Sequence, residues 1–382
     1  MYAVSNAFHE AIREGQPQKA MLIFQDCVFT DEDINVENGI QFNDYFNLEE
    51  DMAIGQTTSN ELLFTLFNDD RLLNDYAFGD FLATIGVLIG EDTYVQQAPV
   101  MVITQQATWY GYEEYPYVRR NSTAPSAQPS FAVKSIMSYD GKVWVFSEDG
   151  RFAVYNDKTG ANITKDNPLN NFMKEKSKRW AGKGIFYNKT SRILFIYEGG
   201  YRERYEFCPL GWFTAERPKA PDVIEIDMHC NDFMMKFEKD MPGKKDLGIT
   251  YPVTLGDLFK KMCTHLGVSY KTAPFINSTA KITKEPKEFE TATMRDVLKW
   301  IAETACGNAR FNRDGVLVID WLRNTGVVLD ENNYEAFTPY WYKTKKITRL
   351  CNRGSDGSYN KEKGTGSETY LIQDNPFLSG VS

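Results

Sequence analysis

A chain of 382 residues and 43.8 kDa is too long for one compact core and is expected to divide into two or three domains. Hydrophobic residues at 42% and charged residues at 25% are ordinary for a folded soluble protein, while 14% aromatic residues, mostly Tyr and Phe, lean towards β-sheet. The net charge of −9 excludes a protein that as a whole grips nucleic acid through its phosphates, and it suits a surface that repels DNA.

From the N-terminus, residues 5–16 are expected as a short helix with Ala7, Phe8, Ala11 and Ile12 on one face and Gly15 near its end. The same region lacks a basic stretch followed by an apolar one, so no signal peptide is expected, and no run of about 18 apolar residues is present to span a membrane. AMLIFQDCVFT reads as a strand running into the acidic turn TDEDINVENG. There Asp31, Asp33 and Asn35 alternate as in a calcium loop, but Val36 stands where the sharp turn needs Gly and Phe42 where the bidentate Glu belongs. A solvated turn is expected. LEEDMAIGQTTSNELLFTLFN reads as two strands joined near residues 55–59, and FGDFLATIGVLIGED as a further apolar run of either type.

The register changes near residue 95. TWYGYEEYPYVRRNSTAPSAQPS is Tyr-rich and runs into a Ser/Pro/Ala loop expected to be exposed. Trp109, Tyr110, Tyr112, Tyr115 and Tyr117 could stack on sugar rings, form a subunit contact, or fill the core of a hairpin. DGKVWVFSEDGRFAVYND predicts a hairpin turning at Asp149-Gly150, because Asp-Gly favours the positive φ angles of tight turns. GIFYNKTSRILFIYEGGYRERYEF repeats the theme with a turn at residues 188–191, so four to six antiparallel strands are expected between 130 and 207. KEKSKRW, residues 174–180, reads either as a solvated loop or as a contact with an anionic surface, such as teichoic acid or an acidic neighbour.

DVIEIDMHC predicts a strand, and TLGDLFKKMCTHLG a helix with Leu255, Leu258, Phe259, Met262, Cys263 and Leu266 on one face. Thr254 with Asp257 resembles a capping box, and Gly267 suits the stop. TATMRDVLKWIAETACGNARFNRDGVLVIDWL repeats the design: Thr293 and Asp296 open a helix, Met294, Leu298, Ile301, Ala302 and Ala305 face inward with Trp300 beside them, Gly307 ends it, and a hairpin turns at residues 312–315.

Chemistry-bearing residues are sparse. The histidines, His9, His229 and His265, have few convergent partners; His265 is expected on its helix's apolar wall, and His229 and Cys230 on opposite faces of a strand. Cys27, Cys208, Cys230, Cys263, Cys306 and Cys351 have neither zinc nor disulfide spacing and read as reduced thiols in a reducing compartment. No nucleophile elbow, P-loop or dinucleotide fingerprint is present, and GSDGSYNKEKGTGS reads as a flexible loop. Abundant carboxylates leave a paired-carboxylate glycosidase open, since spatial separation decides that mechanism.

Taken in order, the segments resemble the tail hub proteins of tailed bacteriophages: late control protein D-like baseplate hubs and the N-terminal part of siphophage tail-associated proteins. GIQFNDYFNLEEDMAIGQTTSNELLFTLFN looks like their first β-domain, where an acidic residue and an Ile-Gly pair precede a Ser and an apolar strand. CPLGWFTAERPKAPDVIEIDMHCNDFMMKFEKDM is similar to the closing part of that domain, and TYPVTLGDLFKKMCTHLGV with residues 291–322 looks like the helical insert. ETYLIQDNPFL resembles the return into a second β-domain. The resemblance covers about two-thirds of the chain in pieces, and residues from about 95 to 205 depart from it.

The resemblance implies an α+β, mainly β fold: a tail-tube-like antiparallel β-domain from 1–94 plus 205–248, an inserted β-hairpin domain at 95–204, a small two-helix plus hairpin domain at 249–330, and the start of a second β-domain at 331–382. It implies a structural component of the tail tip or baseplate in the virion, without catalysis, metal or cofactor. Such a hub closes the tail tube and passes DNA without specific binding. Its expected partners are copies of itself in a ring, typically a trimer, distal-tail or tail-tube proteins, and a host-surface glycan. Relatives continue well past the Asn-Pro-Phe segment, so Ser382 is expected to end either a shortened chain or a hub that stops early, without the peptidase or lysozyme-like domain of some relatives. The alternatives are a carbohydrate-binding receptor module on the inserted domain and a glycosidase on a β scaffold.

Overall fold

The apolar runs of this chain are turned mainly into β-sheet in the computed structural model. It describes residues 3–320, apart from 26, 36, 38, 46–53, 69–70, 75, 113–128, 130, 169–170 and 216–223, together with the backbone of 350–352 and 370–372. Two compact units result, one made of Met1–Asn43 and Glu61–Asn231, the other of Asp44–Asn60 and Asp232–Ser382.

The first unit begins with helix α1 (Asn6–Arg13), β1 (Gln18–Phe24), β2 (Val28–Thr30), a 3-10 turn at Asp31–Asp33, β3 (Gln41–Asn43), β4 (Glu61–Phe67) and the long β5 (Asp80–Thr93). There follow β6 (Val100–Ile103), β7 (Thr108–Gly111), β8 (Ser135–Tyr139), β9 (Lys142–Phe146), β10 (Phe152–Asn156), helix α2 (Asn171–Arg179), β11 (Gly184–Asn188), β12 (Ile193–Glu198), β13 (Tyr201–Ala215) and β14 (Glu225–Asp232). β6 and β7 pair with each other, and the rest form a 12-stranded sheet ordered β10-β9-β8-β11-β12-β13-β14-β4-β3, with β5 also on β13, β1 on β5 and β2 on β1.

Local signals explain much of this. Ser5 caps α1 by accepting the Phe8 N–H at 3.1 Å, and Phe8 and Ala11 are buried near Val87. Ile12, expected on the same face, stays 42% exposed. AMLIFQDCVFT is two strands, not one: β2 runs back antiparallel to β1 and lays Met21 opposite Thr30. Both predicted hairpins form, with Asn156 opposite Lys142 and Asn188 opposite Ile193. One expectation is corrected, because β8 and β11 run parallel. A parallel neighbour requires a crossover, and the β9–β10 hairpin and α2 supply it.

The expected boundaries at 94/95 and 204/205 do not separate two folds. The chain leaves the β5–β13 ribbon at Thr93 and returns at Tyr201, which are paired, so residues 94–200 are an insertion in topology. In packing they are not, since Phe146, Met173 and Trp180 share a core with Leu22, Phe29, Leu62, Phe64, Phe81 and Phe213. β13 itself continues through residues 204 and 205, where only its register with β5 shifts. The expected boundary at 248 also moves, to residues 231 and 232, and residues 44–60 belong with the second unit.

That unit holds a 3-10 turn (Phe233–Glu238), β15 (Val253–Thr254), α3 (Leu255–Leu266), β16 (Ser269–Tyr270), β17 (Lys281–Ile282), α4 (Met294–Thr304), β18 (Asn308–Phe311) and β19 (Val316–Asp320). Within 331–382, the expected second β-domain, only the parallel pair β20 (Leu350–Asn352) and β21 (Tyr370–Ile372) is described. Both helices carry the predicted caps: Thr254 accepts the Asp257 N–H at 3.0 Å, and Thr293 accepts the Asp296 N–H at 3.1 Å and donates its own N–H to the Asp296 carboxylate at 2.9 Å. Their apolar faces join one core with Phe237, Phe311 and Leu317, and half-buried Trp300 stacks on Phe289. The end of α4 departs from expectation, for the left-handed residue is Cys306, at φ 53°, and not Gly307.

β16, β19 and β18 form a sheet whose outer strand gains residues 55–58 as a further neighbour, Thr57 bridging Ala309 in parallel. The Gly55 N–H donates to the Gly307 carbonyl at 2.9 Å and the Ala309 N–H to the Gln56 carbonyl at 2.8 Å. The φ of +83° at Gly55 favours glycine, and a Cβ there would lie 1.9 Å from Glu303 Cγ, so that side chain would have to move. Residues 55–59 are therefore not the simple turn between two strands that the sequence suggests.

Leu298 is fully buried, so Leu298→Ala is expected to cost about 2–5 kcal/mol in urea unfolding. Lys299→Ala, exposed on the same helix, should stay within about 0.5 kcal/mol. A near-zero loss for Leu298→Ala would mean that the helix face is assigned the wrong way round.

Candidate functional site

A cleft of about 660 Å³ opens in the first unit. Strand alternation builds one wall: Met137 and Tyr139 on β8 and Lys142, Trp144 and Phe146 on β9 recur every second residue and share a face. Phe24 at the end of β1, Tyr76 and Asp80 before and at the start of β5, and Asp166 and Asn167 beyond β10 complete the lining.

Three half-buried aromatics, Tyr76, Tyr139 and Trp144, line the cleft. Tyr76 is held edge-on by Phe24 at 6.1 Å, Phe29 at 6.1 Å and Phe78 at 4.8 Å. Tyr139 stacks on Tyr187 at 5.8 Å, and burial, with Asp140 nearby, raises its phenol pKa. The polar groups are equally fixed: Lys142 Nζ donates to Asn167 Oδ1 at 2.6 Å, Asn167 Nδ2 to the Ile163 carbonyl at 2.8 Å, and Thr214 Oγ1 to Asp80 Oδ1 at 2.6 Å. Among the described lining residues, Asp80 and Asp166 set two carboxylates against the one ammonium of Lys142.

The two oppositely charged runs of the sequence meet each other. KEKSKRW lies mostly on α2, and Lys176, its side chain only 1% exposed, pairs with Asp33 of the acidic turn. Lys176 Nζ also donates to the Val28 carbonyl at 2.9 Å and Thr30 Oγ1 at 3.2 Å, and the Thr30 N–H donates to Asp33 Oδ2 at 2.8 Å. Arg179 lies 3.6 Å from the other Asp33 oxygen. At Asp33 the acidic run is not the solvated turn expected of it, and at Lys176 the solvated-loop reading of KEKSKRW does not hold. Burial of Met173 on α2 and of Trp180 just after it draws Lys176 inward, and its charge is matched there.

The Tyr-rich stretch is also resolved in part. Trp109 is fully buried, with Nε1 donating to Asp157 Oδ1 at 2.7 Å, and Thr104 Oγ1 donates to the same oxygen at 2.9 Å. Tyr110 is 5% exposed and donates to Gln97 Oε1 at 2.8 Å. These two rings are core, as the hairpin alternative expects, and offer no face to a sugar. Tyr112 is half-buried with its hydroxyl 3.4 Å from the Gln97 carbonyl, while Tyr115 and Tyr117 lie outside the described residues. His9, His229 and His265 are all exposed, which corrects His265, and His229 and Cys230 do face opposite ways. Cys27, Cys208, Cys230 and Cys263 are buried and Cys306 is exposed; burial pushes the Cys263 thiol pKa up.

In the second unit Asp232 is 2% exposed and accepts from Ser59 Oγ at 3.0 Å, the Asn60 N–H at 2.9 Å and the Met234 N–H at 2.9 Å. Burial lifts its carboxyl from the ordinary 3.8 to about 6, outweighing those donors and the charge of Arg295. Arg295 donates to the Thr57 carbonyl at 2.7 Å and pairs with Glu238. Asp232 carries no mark in the sequence reading, whose predicted strand DVIEIDMHC stops at Cys230; the short turn that Asp232 caps is the signal that could have found it.

No protein-family model and no curated protein matches the chain.

Lys176→Met leaves Asp33 buried without its closest countercharge and is expected to cost about 3–5 kcal/mol, whereas the double change with Asp33→Leu should recover most of that in the same denaturation assay. Asp232 gives a pH signature of known sign. Between about pH 4 and 6 the folded chain keeps a proton that the unfolded chain has lost, so stability should fall as pH rises through that window. Asp232→Asn should flatten this part of the stability profile; an unchanged slope would remove Asp232 as its source.

Proposed function

We propose that the chain is a structural hub of a bacteriophage tail tip or baseplate, which forms a ring with copies of itself, meets distal-tail or tail-tube proteins, and passes DNA without gripping it. The observation that carries the reading is the succession of units along the chain. A mainly antiparallel sheet is followed by two capped helices and a hairpin, the order the resemblance implies. The marker residues of that resemblance also have structural work: Gly55 extends the sheet of the second unit, and Ser59 donates to buried Asp232.

A second support is how the enclosed carboxylates are used. Asp33, Asp157 and Asp232 bind a lysine, an indole N–H, hydroxyls and backbone N–H groups, which is positioning work. The net charge of −9 agrees with a lumen that DNA does not adhere to, since each lysine or arginine paired with phosphate adds salt-dependent affinity.

Mass photometry and negative-stain electron microscopy of the full chain should find closed rings, with a trimer as the expected state, and a titration with double-stranded DNA at physiological salt should detect negligible binding. A persistent monomer at working concentrations, or tight DNA binding that weakens steeply with salt, would overturn the reading.

A further inference from the structure

We propose that the cleft of the first unit is a carbohydrate-binding site for a neutral or amino-sugar oligosaccharide. The inference stands on the cleft's own chemistry and does not depend on ring assembly.

Its volume of about 660 Å³ falls within the roughly 300–1,000 Å³ of small-ligand sites. A pyranose is amphipathic, with axial C–H groups on its faces and hydroxyls around its edge, so it needs a lining that is both aromatic and polar. Tyr76, Tyr139 and Trp144 supply ring surface, and Lys142, Asn167 and Asp166 supply donors and acceptors from the same cleft. An asparagine amide has more bonding positions than the two that Asn167 spends on Lys142 and the Ile163 carbonyl, and a lysine ammonium has three donors. Both can take a ligand hydroxyl without losing the bonds that position them.

Rigidity favours recognition here. The net gain per hydrogen bond with a hydroxyl is small, so affinity depends on groups that are ordered before binding. Tyr76 is wedged among Phe24, Phe29 and Phe78, Tyr139 lies on Tyr187, and the Lys142–Asn167 pair is tied to backbone.

Charge narrows the ligand. Among the described lining residues, two carboxylates and one ammonium give the cleft net negative charge, which repels phosphate- or uronate-bearing polymers and accepts neutral or cationic sugars. The site is distinct from the Tyr-rich stretch considered from sequence, where Trp109 and Tyr110 are enclosed.

The test is isothermal titration of the full chain with short oligomers of glucose, N-acetylglucosamine and glucosamine, and with a poly(glycerol phosphate) teichoic acid as the anionic arm. Saturable binding of at least one uncharged or amino-sugar oligomer is expected. Trp144→Ala and Asp166→Ala should each weaken it about tenfold or more, as the loss of a stacking ring or of a charge-assisted hydrogen bond implies. Asp166 is exposed, so its variant keeps the fold even if Trp144→Ala does not, and circular dichroism verifies this for both. No saturable binding by any of these oligomers, binding indifferent to Asp166→Ala, or a preference for the teichoic acid would overturn the proposal.

Discussion

The backbone pairing of β5 with β13 is the constraint on which the first unit depends. Its register runs from Asp80 opposite Thr214 to Thr93 opposite Tyr201, with shifts between Arg204 and Tyr205 and between Pro209 and Gly211. β13 gives one edge to β5; its other edge holds β12 over residues 201–206 and then β14. Both branches of the sheet therefore hang on one strand. Sliding it by one residue would take Phe207 and Phe213 off the faces where they are packed and bring Glu206 or Cys208, and Trp212 or Thr214, into their places. The register is guarded sterically too, because Gly86 lies under the Phe207 ring, where a Cβ would come within 2.6 Å. Pro209 sits beside the second shift, where a strand tolerates a residue without an N–H.

The cleft inherits its geometry from that ribbon. β8 and β9 reach β13 only through β11 and β12, while Phe24 and Tyr76 belong to segments placed by β1 and β5. The two sets of segments are tied a second time by Lys176 on α2 and Asp33 after β2. A buried ion pair is a poor source of net stability, since the desolvation of both charges offsets most of their attraction, but it penalises arrangements that leave either charge alone. Its contribution is to fix where α2 sits, and so where Met173 closes the cleft floor.

What was legible in the sequence was what is decided locally. The caps of α3 and α4 and the hairpins at residues 149–150 and 312–315 follow from residues within a few positions of each other. The failures share a cause, which is a partner distant in sequence. Nothing in AMLIFQDCVFT says that it folds on itself, since both halves are apolar and the bend rests on the Phe24 N–H reaching the Cys27 carbonyl. Nothing near Gly55 announces β18, and nothing near Asp33 announces Lys176. The candidate cleft was invisible for the same reason. Alternation puts Lys142, Trp144 and Phe146 on one face, but only tertiary structure brings Tyr76 and Asn167 to it.

The aromatic residues illustrate why composition alone misleads about binding. Trp109 and Trp144 look equivalent as letters, each on a short strand among β-formers. The difference is the neighbour each indole meets. Asp157, itself enclosed, takes the Trp109 N–H at 2.7 Å, so that ring is committed to the interior, where an unsatisfied donor would be costly. Trp144 lies on the sheet face that borders the cleft and is only half-buried, and its neighbours on that face of the strand are Lys142 and Phe146. One tryptophan is spent on folding and the other is left available to a ligand. That division assigns roles within the chain: the ribbon, ion pair and buried carboxylates determine shape, and recognition falls to the cleft that this shape leaves open.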